Sequence, residues 1–234
     1  MITALDCARH ESLVKSIRTD GGILMKILIV DDHALFRVGM KFLLQELSEE
    51  VDLTEAANCT AAIELASQSE YDLVLLDLKM PGSSGIEALQ MFRDVCAATP
   101  VVVLSGEDTP TLVRASIECG AMGFIPKTSS HEILIQALKL VLYGGVYLPP
   151  TVLGEDNQYS PQSDSLQKLS GLTARQLEVL RELIQGKPNK VIAKNLNMSE
   201  HTVKAHLSSV FELLGAHNRT EAVYKAAKLG VPLI

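Results

Sequence analysis

Short apolar runs that each stop on a polar or charged residue recur along the first two-thirds of the chain, and they leave few folds open to it. Lys26 to Asp32 reads Lys-Ile-Leu-Ile-Val-Asp-Asp, and Tyr71 to Gly85 reads Tyr-Asp-Leu-Val-Leu-Leu-Asp-Leu-Lys-Met-Pro-Gly-Ser-Ser-Gly. Pro100 to Ser105 reads Pro-Val-Val-Val-Leu-Ser, and Gly120 to Lys127 reads Gly-Ala-Met-Gly-Phe-Ile-Pro-Lys. An apolar run without polar alternation suits a strand covered on both faces. Helical patterns at about 34–47, 60–69, 84–96, 110–119 and 129–143 separate strands near 26, 52, 72, 101 and 122. Such alternation implies right-handed crossovers and a doubly wound, five-stranded parallel sheet with helices on both faces.

In such a sheet ligands bind at the carboxyl ends of the strands, because helices cover everything else. Asp77 closes its run just before a Met-Pro-Gly turn, and Asp31 and Asp32 emerge in the same way. Taken singly each has an ordinary explanation: Asp often closes a strand, Ser105 can terminate one, Lys127 can be solvated and Phe124 can be core. Three carboxylates meeting in one crevice would repel and raise each other's pKa unless a cation lay among them. Carboxylates with few other ligands suit a hard, oxygen-preferring ion such as Mg²⁺.

An acid pair, a single acid, a hydroxyl and a lysine, each at a strand end and in that order, resemble the receiver domain of two-component response regulators. The resemblance implies a flavodoxin-like sheet of order 2-1-3-4-5, with Asp31, Asp32 and Asp77 meeting where the first and third strands adjoin. It implies that Asp77 is the phosphoacceptor, served by a sensor histidine kinase. Asp31, Asp32, Asp77 and the backbone carbonyl of Lys79 would hold Mg²⁺, and Ser105, Phe124 and Lys127 would respond to the phosphoryl group. Phe124 departs from the pattern, since a tyrosine is often found there. His33, His201, His206 and His217 share no metal spacing and are read as surface or local-packing residues.

With 234 residues and 47% hydrophobic content the chain can bury one or two cores. No apolar run approaches the roughly 18 residues that cross a bilayer, and the N-terminus lacks a secretory order, so a cytoplasmic protein without a membrane partner is expected. Cys7, Cys59, Cys96 and Cys119 show no zinc or disulfide spacing and read as reduced thiols. The net charge of −7 hides an asymmetry: residues 1–165 carry 11 basic against 23 acidic residues, and 166–234 carry 10 against 5. A basic segment on an acidic body points to the segment as the part that meets a polyanion.

Residues 1–24 form an N-terminal extension with two open readings: Leu13, Val14 and Ile17 on one turn of a docking helix, or Met25 as the true start. A receiver over 25–144 then closes at Gly144-Gly145 as a left-handed cap. Residues 145–168, with Pro149-Pro150, Gly154 and Pro161, read as a linker. From 169 to 234 four helices are expected. Thr173 caps the first, to about Gln185; Asn189 caps a short one to about Leu196; Ser199 caps a third to about Leu214; and Thr220 opens the last. On the third, Val203, Leu207, Val210 and Leu214 make a buried stripe opposite His201, Lys204, Ala205 and Ser208, which describes a helix-turn-helix. A generic helical bundle shows the same periodicity.

The stretches Leu-Thr-Ala-Arg-Gln-Leu-Glu-Val-Leu (172–180), Asn-Lys-Val-Ile-Ala (189–193), Ser-Glu-His-Thr-Val-Lys-Ala-His-Leu (199–207) and Asn-Arg-Thr-Glu-Ala (218–222) resemble the LuxR-type, or NarL/FixJ-type, effector domain. The resemblance implies DNA as a partner, with His201, Lys204, Ala205 and Ser208 facing bases and Lys187, Lys190, Lys194 and Arg219 placed for phosphates. Ser208 stands where relatives often carry a basic residue. An active homodimer is expected, with the small residues Ala222, Ala226 and Ala227 allowing close packing of protomers. A non-enzymatic regulator is the reading. A haloacid-dehalogenase-type phosphatase would need an acid two residues after the nucleophile, where this chain has Lys79. An orphan regulator with an unphosphorylated receiver is the other alternative, and the intact acid pair, Asp77, Ser105 and Lys127 argue against it.

Overall fold

The computed structural model describes residues 24–48, 50–80, 85–96, 99–154, 171–229 and 231. Residues 1–23 of the expected N-terminal extension, the Pro81-Gly82 turn and most of the expected linker lie outside the described residues, and Leu24 already belongs to the first strand. Five strands, β1 (Leu24–Val30), β2 (Glu50–Ala56), β3 (Leu73–Asp77), β4 (Val101–Ser105) and β5 (Gly123–Pro126), form one sheet in the order β2-β1-β3-β4-β5. The β1–β2, β1–β3 and β3–β4 pairs are parallel. Every residue of β3 and β4 is buried, as are Ile27–Val30 of β1. Helices on both faces leave no solvated side, so these strands read as continuous apolar runs. β2 carries three charged residues among its seven, because it is an edge strand, and Glu50 and Glu55 there are exposed.

Helices α1 (Ala34–Leu44), α2 (Cys59–Gln68), α3 (Gly85–Val95), α4 (Pro110–Glu118) and α5 (His131–Leu142) alternate with the strands. Asn58 caps α2 by accepting from the Ala61 N–H at 2.9 Å, and Thr109 with Pro110 opens α4. Gly85 starts α3 where an added Cβ would collide with the backbone of Leu78, which holds that helix close behind β3. Gly144 has φ +81°, the expected left-handed stop after α5.

By contacts the molecule divides into two compact units, whose boundary runs through β5. One comprises residues up to Gly106 with Ile125–Lys139, the other Glu107–Phe124 with residues from Leu140 onward. In the second unit the chain after α5 does not leave at once: Tyr147 bridges to Gly123 and its carbonyl accepts from the Phe124 N–H at 3.1 Å. A short helix α6 (Pro150–Gly154) follows, with Val152 buried. The start of the stretch read from sequence as linker is thus bound into this unit.

The same unit holds α7 (Ala174–Ile184), α8 (Asn189–Asn195), α9 (Glu200–Leu214) and α10 (Arg219–Lys228). Their core joins Val179, Leu180 and Leu183 to Ile192, Val203, Leu207, Val210 and Leu214. Thr173 and Gln176 complete a capping box on α7, and Ser199 caps α9 through the Thr202 N–H at 3.0 Å. Two caps differ from the sequence reading. Pro188, not Asn189, precedes α8, and Asn218, not Thr220, caps α10 by accepting from Glu221 N–H at 2.8 Å. Thr220 is instead buried. Ala222 and Ala226 are fully buried in their own domain's core, so they do not form the interprotomer surface expected of them.

Candidate functional site

Asp77 ends β3 with 1% of its surface exposed, and Asp31 follows β1 equally buried. Adjacency of β1 and β3 in the sheet brings the two carboxylates to one edge. Lys127, just past β5, donates to Asp77 Oδ2 at 2.6 Å, and its Nζ lies 2.7 Å from Asp31 Oδ2. Its backbone N–H donates to the Ser105 carbonyl at 2.7 Å, which ties the ends of β4 and β5 together and fixes where the ammonium sits. Burial disfavours that ammonium, but hydrogen bonds and the charges of Asp31 and Asp77 outweigh it and hold its pKa above the ordinary lysine value. Asp77 Oδ1 accepts from the Lys79 N–H at 2.9 Å, so the residue two past the acid contributes its backbone here. The Lys79 side chain is exposed.

Asp32 is the most open of the three acids, its side chain 28% exposed. Asp31, Asp32 and Asp77 together with His33 bring ligand-capable atoms within 4.8 Å of one another. Asp31 Oδ2 and Asp32 Oδ1 are buried without a well-aligned hydrogen bond, although Lys127 and His33 nitrogens approach within 2.7 and 2.8 Å respectively. Buried carboxylate oxygens of this kind call for a cation. The donor set of three carboxylates fits a hard divalent ion.

Two residues here were not singled out from sequence. His33 was read as surface or local packing, and its backbone N–H and Nδ1 sit 2.8 and 3.1 Å from Asp31 Oδ1. Arg37 donates to the Asp31 carbonyl at 2.6 Å and to Glu55 Oε2 at 2.7 Å, pinning the strand end that carries the acid pair. Position two and six residues past Asp31 was the available signal, and it carries no chemistry without the turn between β1 and α1. Ser105 and Phe124 are both fully buried.

In the second unit, α8 and α9 form the helix-turn-helix. Asn197 takes φ +52° between them, a left-handed conformation Asn tolerates, and Met198 N–H closes on the Ala193 carbonyl at 2.9 Å. Arg175 reaches from α7 to the Leu196 carbonyl and braces this turn. Along α9, Val203, Leu207, Val210 and Leu214 are buried as expected, while His201, Ala205 and Ser208 are exposed and Lys204 is half-buried. The Ser208 hydroxyl donates to the Lys204 carbonyl at 3.0 Å within the helix. Lys190 and Lys194 are exposed on α8. Lys187 pairs with Glu182 at 2.8 Å.

Arg219, expected to be placed for phosphates, is held against the protein instead. Its guanidinium turns inward, donating to the carbonyls of Lys187 at 2.7 Å and Leu183 at 3.5 Å and to Asn189 Oδ1 at 3.4 Å. Burial pushes its pKa down to about 10, which leaves it charged at neutral pH. It clamps the α7–α8 turn.

The chain matches the family model for the response regulator receiver domain over residues 27–139 and that for bacterial regulatory proteins of the luxR family over 170–226. It is 37% identical over 213 residues to the glycerol metabolism activator of Pseudomonas putida, covering 88% of this chain and 96% of that protein. To the nitrate/nitrite response regulator protein NarP of Escherichia coli (strain K12) it is 36% identical, covering 84% and 92%. A solved structure of RcsB from Salmonella enterica serovar Typhimurium, bound to promoter rprA in the presence of the phosphomimetic BeF3−, matches with TM-score 0.50 at 26% identity. That match covers 87% of this chain and 99% of RcsB. Among the described residues no helix is long and apolar enough to cross a membrane.

Proposed function

Since the chain belongs to the NarL/LuxR family of two-component response regulators, DNA-binding transcription regulators with a receiver and a LuxR-type helix-turn-helix, we propose that Asp77 is its phosphoacceptor. One observation carries this: a carboxylate with 1% exposure at a strand's carboxyl end, 2.6 Å from a lysine ammonium and beside a second buried acid. A carboxylate in that setting can attack a phosphoryl group to form an acyl phosphate, and the surroundings mainly position and neutralise. Asp31, Asp32 and Asp77, with the Lys79 backbone carbonyl, would hold Mg²⁺, which when bound neutralises charge on the transferring oxygens. Lys127 pairs with the phosphoryl group. Ser105 and Phe124 are the residues whose rearrangement reports it.

The donor is a sensor histidine kinase, and the protein works in the cytoplasm as a homodimer once active. The receiver spans 25–144, a linker 145–168 and the DNA-binding domain 169–234. His201, Lys204, Ala205 and Ser208 on the solvent side of α9 face bases, and Lys187, Lys190 and Lys194 face phosphates. Arg219 supports them from behind by fixing the α7–α8 turn. The test is phosphorylation with acetyl phosphate, or beryllofluoride binding, with and without Mg²⁺. Wild type should take one phosphoryl group only with Mg²⁺, and Asp77→Asn none; equal labelling of both removes Asp77 from the role.

A further inference from the structure

Helix α7 ends in a Schellman motif. Gly186, at φ +73°, donates its N–H to the Leu183 carbonyl at 2.9 Å, and the Lys187 N–H donates to the Glu182 carbonyl at 3.3 Å. This folds the chain back until two residues five apart lie side by side, and the Lys187 ammonium donates to Glu182 Oε1 at 2.8 Å. Glu182 Oε2 accepts from Asn195 Nδ2 at 2.6 Å. One carboxylate on α7 therefore holds both Lys187, just ahead of α8, and Asn195, the last residue of α8. The Lys187 carbonyl is held in turn by Arg219 at 2.7 Å.

The Glu182 side chain is 16% exposed and that of Lys187 31%. Burial would raise the carboxyl pKa of Glu182, but hydrogen bonds from Lys187 and Asn195 and the charge of the lysine bring it below the ordinary value, so the group is ionised at neutral pH. A pair partly withdrawn from water, with the backbone of Lys187 already fixed on both sides, is screened less and costs less ordering than a pair of free surface side chains. The cations around α8 are thus unequal. Lys190 and Lys194 are exposed, whereas Lys187 comes with an anion attached.

We propose that Glu182 is a positioning residue for DNA binding: it cancels the charge of Lys187 and aims the rest of that ammonium outward, so that Lys187 fixes register on a phosphate without adding to sequence-independent affinity. The proposal rests on the reading of the α8–α9 face as DNA-binding and adds how one of its phosphate contacts is regulated. An ammonium has three donors, and one of them serves Glu182. A phosphate contact made by a neutral pair releases no condensed counterion, and that release supplies nearly all non-specific binding. Lys190 and Lys194 provide it here. Glu182 limits it, which keeps the domain from being held on DNA of any sequence.

Glu182→Gln is nearly isosteric, keeps an oxygen that can accept from Asn195 and removes the charge. Full-length protein with beryllofluoride and Mg²⁺ is titrated with a duplex of random sequence between about 50 and 200 mM salt. The slope of log affinity against log salt should be steeper than wild type by about 0.9, which corresponds to an affinity gain of up to about eightfold at 0.1 M salt. Glu182→Ala, which gives up both hydrogen bonds as well, should steepen the slope equally, and Glu182→Asp should keep the wild-type slope. Adding Lys187→Ala to Glu182→Gln should restore the wild-type slope, a result that loss of stability does not produce. Unchanged slopes in Glu182→Gln and Glu182→Ala overturn the proposal. A steeper slope that survives Lys187→Ala also overturns it, since the carboxylate would then act on DNA without the lysine. If Lys190→Ala leaves the slope untouched too, or wild type binds the duplex without salt dependence, the reading of this face as DNA-binding itself fails, and the proposal falls with it.

Discussion

Arg219 and Glu221 are charged residues that the fold turns inward, and each carries a consequence for stability. The Arg219 guanidinium holds three acceptors across the α7–α8 turn, and its Nε is buried without a partner. Arg219→Ala should therefore lower the stability of the DNA-binding domain by about 1–3 kcal/mol, because backbone carbonyls lose their donors. In DNA binding it should leave the salt slope unchanged, whereas removal of a phosphate contact lowers it by about one. Glu221 accepts from the His217 N–H at 2.7 Å and pairs with Lys225 at 2.6 Å. Burial alone would raise its pKa, yet Lys225 and the His217 amide more than compensate and the net shift is downward. A depressed folded pKa means the carboxylate stabilises the domain above the ordinary carboxyl value and loses that contribution as pH falls through the folded one. Glu221→Gln should cost roughly 1–2 kcal/mol at pH 7 in a denaturant titration, and the gap to wild type should close below about pH 4. None of this was legible in the sequence, where Arg219 looked like one more cation of a basic segment. What turns it inward is the placement of the α7–α8 turn, a tertiary fact.

At the level of elements, β1, β3 and β4 were readable because burial on both faces writes itself as unbroken apolar residues. β2 was harder, since an edge strand keeps acids such as Glu50 and Glu55. The carboxylate site was legible because strand order alone brings three chain positions to one edge; the His33 contact was not, since it depends on one tight turn. Helix ends shifted by a residue or two where Pro188 and Asn218 proved to be the caps. On α9 the buried stripe divides the helix as its periodicity requires, which gives two substitutions opposite meanings. Lys204→Ala should cost about 1–3 kcal/mol on the cognate operator and much less on random DNA, if Lys204 reads a base. Lys190, exposed on α8, should when replaced by Ala weaken both complexes alike and flatten the salt dependence by about one unit of slope. Footprinting and titration of both variants at several salt concentrations decide it: an unchanged cognate-to-random ratio for Lys204→Ala removes that residue from base readout.

For the whole molecule the question is how a buried carboxylate at one sheet edge governs a helix-turn-helix. Residues 1–165 carry a net charge of −12 and residues 166–234 one of +5. Within the second unit α4, whose flanking strands carry Ser105 and Phe124, meets α10: Asn218 Nδ2 donates to the Ile117 carbonyl at 3.2 Å. Asn218 does two things at once, because its Oδ1 caps α10 while its amide holds α4. Serine at this position keeps a capping oxygen and adds no charge, but it lacks the second donor that reaches Ile117. If the α4–α10 contact restrains the DNA-binding domain until phosphorylation reshapes the surface around Ser105 and Phe124, Asn218→Ser should raise the operator affinity of the unphosphorylated full-length protein. One net hydrogen bond is worth about 1 kcal/mol, so the gain should be roughly fivefold, and phosphorylation should then add correspondingly less. An affinity identical to wild type before phosphorylation, with thermal stability preserved, would mean that the contact does not inhibit and that phosphorylation acts through dimer formation alone.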